Sequence, residues 1–213
     1  MEYRIKDWYD GYIEEGDMDF YLLSDSHLKH EKMKTYCQRP ENFTELIHKN
    51  CMQILNPNTT LIHLGDVGIG PYEDWTWMIK SWPGRKILVR GNHDRNRSIS
   101  WWMDKGGFDF ACDGLMFRQC WLTHEPDPCE NDDGVLLNIH GHLHNIWHGF
   151  HKNAEEGSPE AETWQTQRLK HPWQRLFAVE YTNYMPVAFD KFVSHPDKYQ
   201  ARGPKHDTTQ SNS

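Results

Sequence analysis

Five short stretches of the chain place Asp, Asn or His directly past an apolar run. They are Asp25-Ser26-His27, Gly65-Asp66, Gly91-Asn92-His93-Asp94, Thr123-His124 and Gly141-His142-Leu143-His144. Carboxylate and amide oxygens and imidazole nitrogens are the ligands of a borderline divalent metal. In an extended chain residues i and i+2 face the same way, so Asp25 with His27, and His142 with His144, can each point two ligands at one spot. The glycines let the backbone turn sharply or come close to a neighbour. Taken singly, His124 is an ordinary hydrogen-bonded histidine and Asp66 a helix cap. Only the ordered set argues for a converging metal cluster.

The elements that must position these residues can be read from periodicity. "DFYLL" (19–23), "TLIHL" (60–64) and 86–89 are short apolar runs with strand character, each ending at a chemistry-bearing block. Between the first two, "PENFTELIHKNCMQIL" carries Phe43, Leu46, Ile47, Met52 and Leu55 at helical spacing. Between the second and third, "YEDWTWMIKSWPG" is a shorter helical stretch closed by Pro83-Gly84. A Trp-rich helical segment is expected at 99–105, and strands at 115–123, 135–140 and 176–181 ("LFAVEY"), followed by a short element around 186–193. Strand and helix in alternation predict a layered α/β fold.

The succession D-x-H, G-D, G-N-H-D, a lone H and G-H-x-H, in that order over residues 25–144, resembles the calcineurin-like metallophosphoesterase family. "SDSHLKHEKM" followed by "RPENF" is similar to its small, single-domain bacterial and phage members. The resemblance implies a four-layer sandwich of two mixed β-sheets flanked by helices. It also implies two divalent ions, Mn²⁺ first, with Fe²⁺, Ni²⁺ or Zn²⁺ as alternatives. Asp25, His27 and His144 would hold one ion and Asn92, His124 and His142 the other, with Asp66 bridging both. His93 would be the general acid and Asp94 the residue that orients it. Two ions roughly 3.5–4 Å apart can share a hydroxide nucleophile and clamp a phosphoryl group. The departing alkoxide still needs a proton, which a His can supply. The implied activity is phosphoester hydrolysis on a small phosphoester or nucleotide, a phosphodiester first. A phosphomonoester, a nucleic-acid end or a non-catalytic metal-binding scaffold are the alternatives.

Around this set, Arg90, Arg95 and Arg97 are candidates to hold phosphate oxygens, Arg95 and Arg97 foremost, since guanidinium suits that geometry, with ordinary surface charge as the alternative. His30 is a further substrate-side or ligand-supporting candidate, as is His140 on the ligand-supporting side, while His63 reads as an ordinary core residue. Trp75, Trp77, Trp82, Trp101 and Trp102 are expected to pack helices. Trp147 and Trp164 fall in the polar segment 145–175, read as a partial lid over a domain spanning 18–196. Residues 1–17 are read as an N-terminal extension and 197–213 as a disordered tail.

Composition limits the partners. The 213 residues carry a formal charge of −8 and a pI near 5.9, which excludes a protein that coats nucleic acid by charge alone. Five cysteines without a C-x-x-C spacing indicate neither a disulfide framework nor a thiolate zinc site. No apolar stretch suggests a membrane anchor, so a cytoplasmic location is expected, in a host cytoplasm if the gene is viral.

Overall fold

The computed structural model describes residues 3–4, 19–127, 134–145, 173–195 and 198–199. Most of the segment read as a lid, with Trp147 and Trp164, and most of the tail lie outside the described residues. In chain order the elements are β1 (Tyr3–Arg4), β2 (Asp19–Leu23), α1 (Met33–Tyr36), α2 (Phe43–Ile54), β3 (Thr59–His63), α3 (Thr76–Ser81), β4 (Arg85–Val89) and α4 (Ile99–Trp101). A π turn (Trp102–Gly106) leads into β5 (Phe110–Cys112), β6 (Leu115–Phe117), β7 (Cys120–Thr123), β8 (Leu137–His140), β9 (Gln174–Leu176), β10 (Val187–Ala188) and α5 (Phe189–Ser194).

Two five-stranded mixed sheets result, ordered β1-β6-β7-β8-β9 and β10-β2-β3-β4-β5. In the second, β2, β3, β4 and β5 are parallel and β10 closes the edge antiparallel. Strand alternation sorts its side chains to two faces. Phe20, Leu22, Ile62, Ile87 and Val89 meet Leu115, Phe117, Leu122 and Ile139 of the other sheet. Leu23, Leu61 and Leu88 face the helices, where Phe43, Ile47 and Cys51 recur every fourth residue along α2. A sheet buried on both faces explains why its strands read as unbroken apolar runs. Within the stretch read as an extension, β1 adds to the other sheet, parallel to β6. Two mixed sheets flanked by helices are the α/β architecture that the sequence implied.

Three local expectations are corrected. The run 115–123 is a hairpin, β6 and β7, joined through Arg118 and Gln119 with φ of 47° and 61°. Such a turn usually announces itself with Asn or Gly. In "LFAVEY" the strand ends at Leu176; Val179–Thr182 is a 3₁₀ turn, and Phe177, Ala178 and Val179 are fully buried. An apolar run buried on all sides carries no period that separates strand from turn. Trp77 does not pack inward: it is 52 % exposed, whereas Trp75, Trp82 and Trp102 are buried. Among the described residues no helix is long and apolar enough to cross a membrane, and the four described cysteines are buried free thiols.

Candidate metal centre

All five blocks lie just past the carboxyl ends of β2, β3, β4, β7 and β8, on one edge of the sandwich. That is where a parallel sheet opens a crevice. Backbone bonds tie the loops together: Asp25 N–H donates to Gly65 O and His27 N–H to Asp66 O, both at 2.9 Å. Asp25, His27, Asp66, His142 and His144 all have positive φ, between 42° and 70°. Each non-Gly residue in that region is strained, and such strain gathers at functional sites. A Cβ on Gly91 would run into the Asp66 carboxylate, and one on Gly141 into Ser24 and Asp25. Those two glycines permit close approach of the loops.

The side chains converge in two groups, Asp25-His27-His144 and Asp66-His124-His142. In the first, His144 Nε2 lies 3.6 Å from Asp25 Oδ1. The His27 and His144 rings are 5.1 Å apart. In the second, His124 Nε2 lies 3.1 Å from Asn92 Oδ1, 3.2 Å from His142 Nδ1 and 3.3 Å from Asp66 Oδ2. Asp66 Oδ2 is also 3.5 Å from His27 Nε2, so one carboxylate oxygen faces both groups. The other oxygen, Oδ1, accepts a hydrogen bond from His93 N–H at 3.0 Å.

This donor set fits divalent cations. His124 Nδ1 lies 2.7 Å from Leu64 O, which it can approach so closely only as a donor, leaving Nε2 as an acceptor among acceptors. A cation or a proton must occupy that space. Without metal the proton does: burial works against it, yet the Asp66 and Asp25 carboxylates hold His124 at about 9. In the first group His27 Nε2 is buried with no hydrogen-bond partner. Burial, then the charge of His144, holds His27 well below its ordinary value, so its lone pair is free. Burial is opposed at Asp66 by the His124 hydrogen bond and charge, which hold the carboxyl below its usual range.

The family model of the calcineurin-like phosphoesterases matches residues 18–203. The chain belongs to that family. As a calcineurin-like phosphoesterase it is a metal-dependent hydrolase of phosphoric esters. The phosphoesterase is 26 % identical over 188 residues to the uncharacterized protein MJ1445 of Methanocaldococcus jannaschii, covering 84 % of this chain and 91 % of that one. It also resembles the crystal structure of the protein of unknown function AQ665 from Aquifex aeolicus, with a TM-score of 0.57 at 23 % identity. That match covers 84 % of this chain and 99 % of the other, a likeness of fold.

The phosphoesterase arranges the remaining candidates unevenly. His93 stands at the rim, its side chain 46 % exposed and Nε2 3.9 Å from Asp66 Oδ2. The Asp94 carboxylate makes its hydrogen bonds to the backbone and not to the His93 imidazole. Its carboxylate is fully buried and accepts backbone N–H bonds from Asp66 (2.7 Å), Gly91 (2.8 Å) and Val67 (3.1 Å). It therefore staples the loop after β3 to the loop after β4 and fixes His93 through its backbone. Burial and the Asp66 charge push Asp94 up to about 7 while the three donors pull it down. His30 places Nδ1 3.4 Å from His27 Nδ1. Arg95 pairs with Glu125 at 3.3 Å. The Arg97 guanidinium lies over the Trp101 and Tyr72 rings. Arg90 pairs with Asp113. His63 is core, its Nε2 2.8 Å from Ser26 Oγ. His140 is buried, with Nδ1 3.0 Å from Gly141 O.

Two supporting residues escaped the sequence reading. Buried Arg39 donates to Asp25 O (2.7 Å), Ser26 O (3.0 Å) and Glu180 Oε1 (2.7 Å). Glu180 Oε1 lies 3.3 Å from His144 Nδ1, which leaves His144 Nε2 to face Asp25. Carboxylate backing of this kind fixes the tautomer and orientation of a metal-binding histidine. Burial would raise the Glu180 carboxyl, but Arg39 and His144 hold it at about 2. Arg39 followed by a proline and Glu180 inside an apolar run gave no ligand-like spacing to find them by.

Proposed function

We propose that the phosphoesterase hydrolyses phosphodiesters, with Asp25, His27 and His144 holding one divalent ion, Asn92, His124 and His142 the other, and Asp66 shared. The observation that carries this reading is the single oxygen, Asp66 Oδ2, placed 3.5 Å from His27 and 3.3 Å from His124. Two ions held there would supply an activated water and a clamp on the phosphoryl oxygens.

The chain's own groups do the rest. His93, exposed at the rim and anchored through its N–H to Asp66, is placed to give the leaving oxygen its proton. A diester suits the charges better than a monoester, because a diester carries one negative charge and a monoester dianion nearly two. Two of the nearby guanidinium groups are already paired with carboxylates, Arg39 with Glu180 and Arg95 with Glu125, while Arg97 lies over the Tyr72 and Trp101 rings. His30 is held below its ordinary value by burial, with His93 and Arg39 adding to it.

The test is hydrolysis of bis-p-nitrophenyl phosphate beside p-nitrophenyl phosphate, by metal-stripped protein restored with Mn²⁺. The expected result is metal-dependent cleavage with the higher kcat/KM on the diester. A higher value on the monoester would overturn the diester preference, and no turnover of either with two ions bound would overturn hydrolysis as its role.

A further inference from the structure

Beside His93 the fold leaves a cavity of about 130 Å³, lined by Tyr72, Trp75, Trp101 and Trp102 and by the Gly68-Ile69-Gly70 turn. A cavity of roughly 150 Å³ takes a benzene ring. Its aromatic walls stand nearly at right angles: Tyr72 and Trp101 meet at 85° with centroids 5.4 Å apart, Trp101 and Trp102 at 87° and 5.1 Å. A packed core would close such a space. The walls are tethered to the acid, because Trp102 Nε1–H donates to Asp94 O at 3.0 Å, in the turn that carries His93. Gly68, in the lining, bridges to Leu28, the neighbour of His27. His93 thus belongs to both places, within 3.9 Å of Asp66 on one side and lining the cavity on the other.

We infer that this cavity receives the leaving group of the substrate, and that the leaving alcohol carries one flat six-membered aromatic or heteroaromatic ring. The inference rests on the phosphoester reading of the metal centre. With the phosphoryl group at Asp66 and the leaving oxygen at His93, the next atoms of that alcohol enter the aromatic slot. A flat ring can lie face-on against one wall and edge-on to the wall at right angles to it, both favourable aromatic geometries, whereas a puckered saturated ring of equal carbon count makes neither contact. The Arg97 guanidinium, itself in the lining, lies over Tyr72 and Trp101 and steadies these two rings.

Binding of benzylphosphonate and of cyclohexylmethylphosphonate to the Mn²⁺-loaded full chain, measured by calorimetry beside inorganic phosphate, tests this without turnover. The expected result is about tenfold tighter binding of the flat ring, the scale of one stacking contact. Trp101→Ala, which removes a wall, and Ile69→Trp, which fills the slot, should each bring the ratio close to one. Phosphate titrated into each variant reports whether its metal centre is formed. Equal affinities for the two phosphonates in the unaltered protein would overturn the inference and leave the phosphoester reading standing. So would a tenfold ratio that survives in both variants with phosphate still bound. Failure of inorganic phosphate to bind the metal-loaded protein would overturn the phosphoester reading itself, and the inference with it.

Discussion

The two halves of the proposed metal centre are built differently. The half formed by Asp25, His27 and His144 is enclosed, with all three side chains buried. Behind it stands a buried ion pair, Arg39–Glu180, that holds His144 on one side and the Asp25 and Ser26 carbonyls on the other. The half formed by Asn92, His124 and His142 is open: Asn92 is exposed and His142 partly so. Its support is slighter, since His142 is tied through its N–H to Asp25 while its ring packs against His124. A pre-ordered, dry site holds a cation tightly, and an open one leaves room for substrate and for exchange. The enclosed half should therefore bind first and the open half should bind together with substrate.

The change that tests both halves at once is Asp66→Asn. It keeps an acceptor for His93 N–H but removes the shared charge, so turnover should drop by roughly three orders of magnitude or more and both metal equivalents should weaken. Retention of two tight equivalents would show that Asp66 does not bridge. His93→Ala comes next. With a poor leaving group the loss should reach about 10²–10⁴-fold, and with nitrophenolate, which needs little protonation, much less. Equal losses would make His93 an anchor.

The comparison is sharpened by a pair of variants read by metal titration. Glu180→Ala should weaken the tight equivalent by about 10–100-fold, while Asn92→Ala should remove the weak one and spare the tight one. The reverse outcome would exchange the roles of the halves. The smallest effect concerns stability without metal. Glu180 has its carboxyl held at about 2 in the fold against an ordinary 4.5, so its contribution is complete above about pH 4.5 and is lost as pH falls toward 2. The melting temperature of the metal-free protein should fall over that window, and Glu180→Gln should flatten the slope.

The same contrast explains what the sequence could disclose. The ligand blocks were legible because each is a short run of oxygen and nitrogen donors at the end of a strand, and their order carried the family. The backing of the enclosed half was not. Arg39 and Glu180 are 141 positions apart and meet only in the fold. The resemblance implied that Asp94 orients the His93 ring, yet its carboxylate turns inward to three N–H groups, a choice set by the crossing of two loops. The β6–β7 hairpin was hidden because Arg118 and Gln119 adopt positive φ without the glycine that normally signals it. Local pattern reports chemistry at strand ends; the support behind it is a long-range property.

The Asp94 staple also governs how the protein breathes. Its two oxygens hold the amide protons of Asp66, Val67 and Gly91 from loops that follow different strands. Neither loop can lift without releasing the carboxylate from the other, so the two form one cooperative opening unit. In hydrogen exchange those three amides should share a single protection factor, and the sub-global unfolding that exposes one of them dismantles the catalytic edge as a whole.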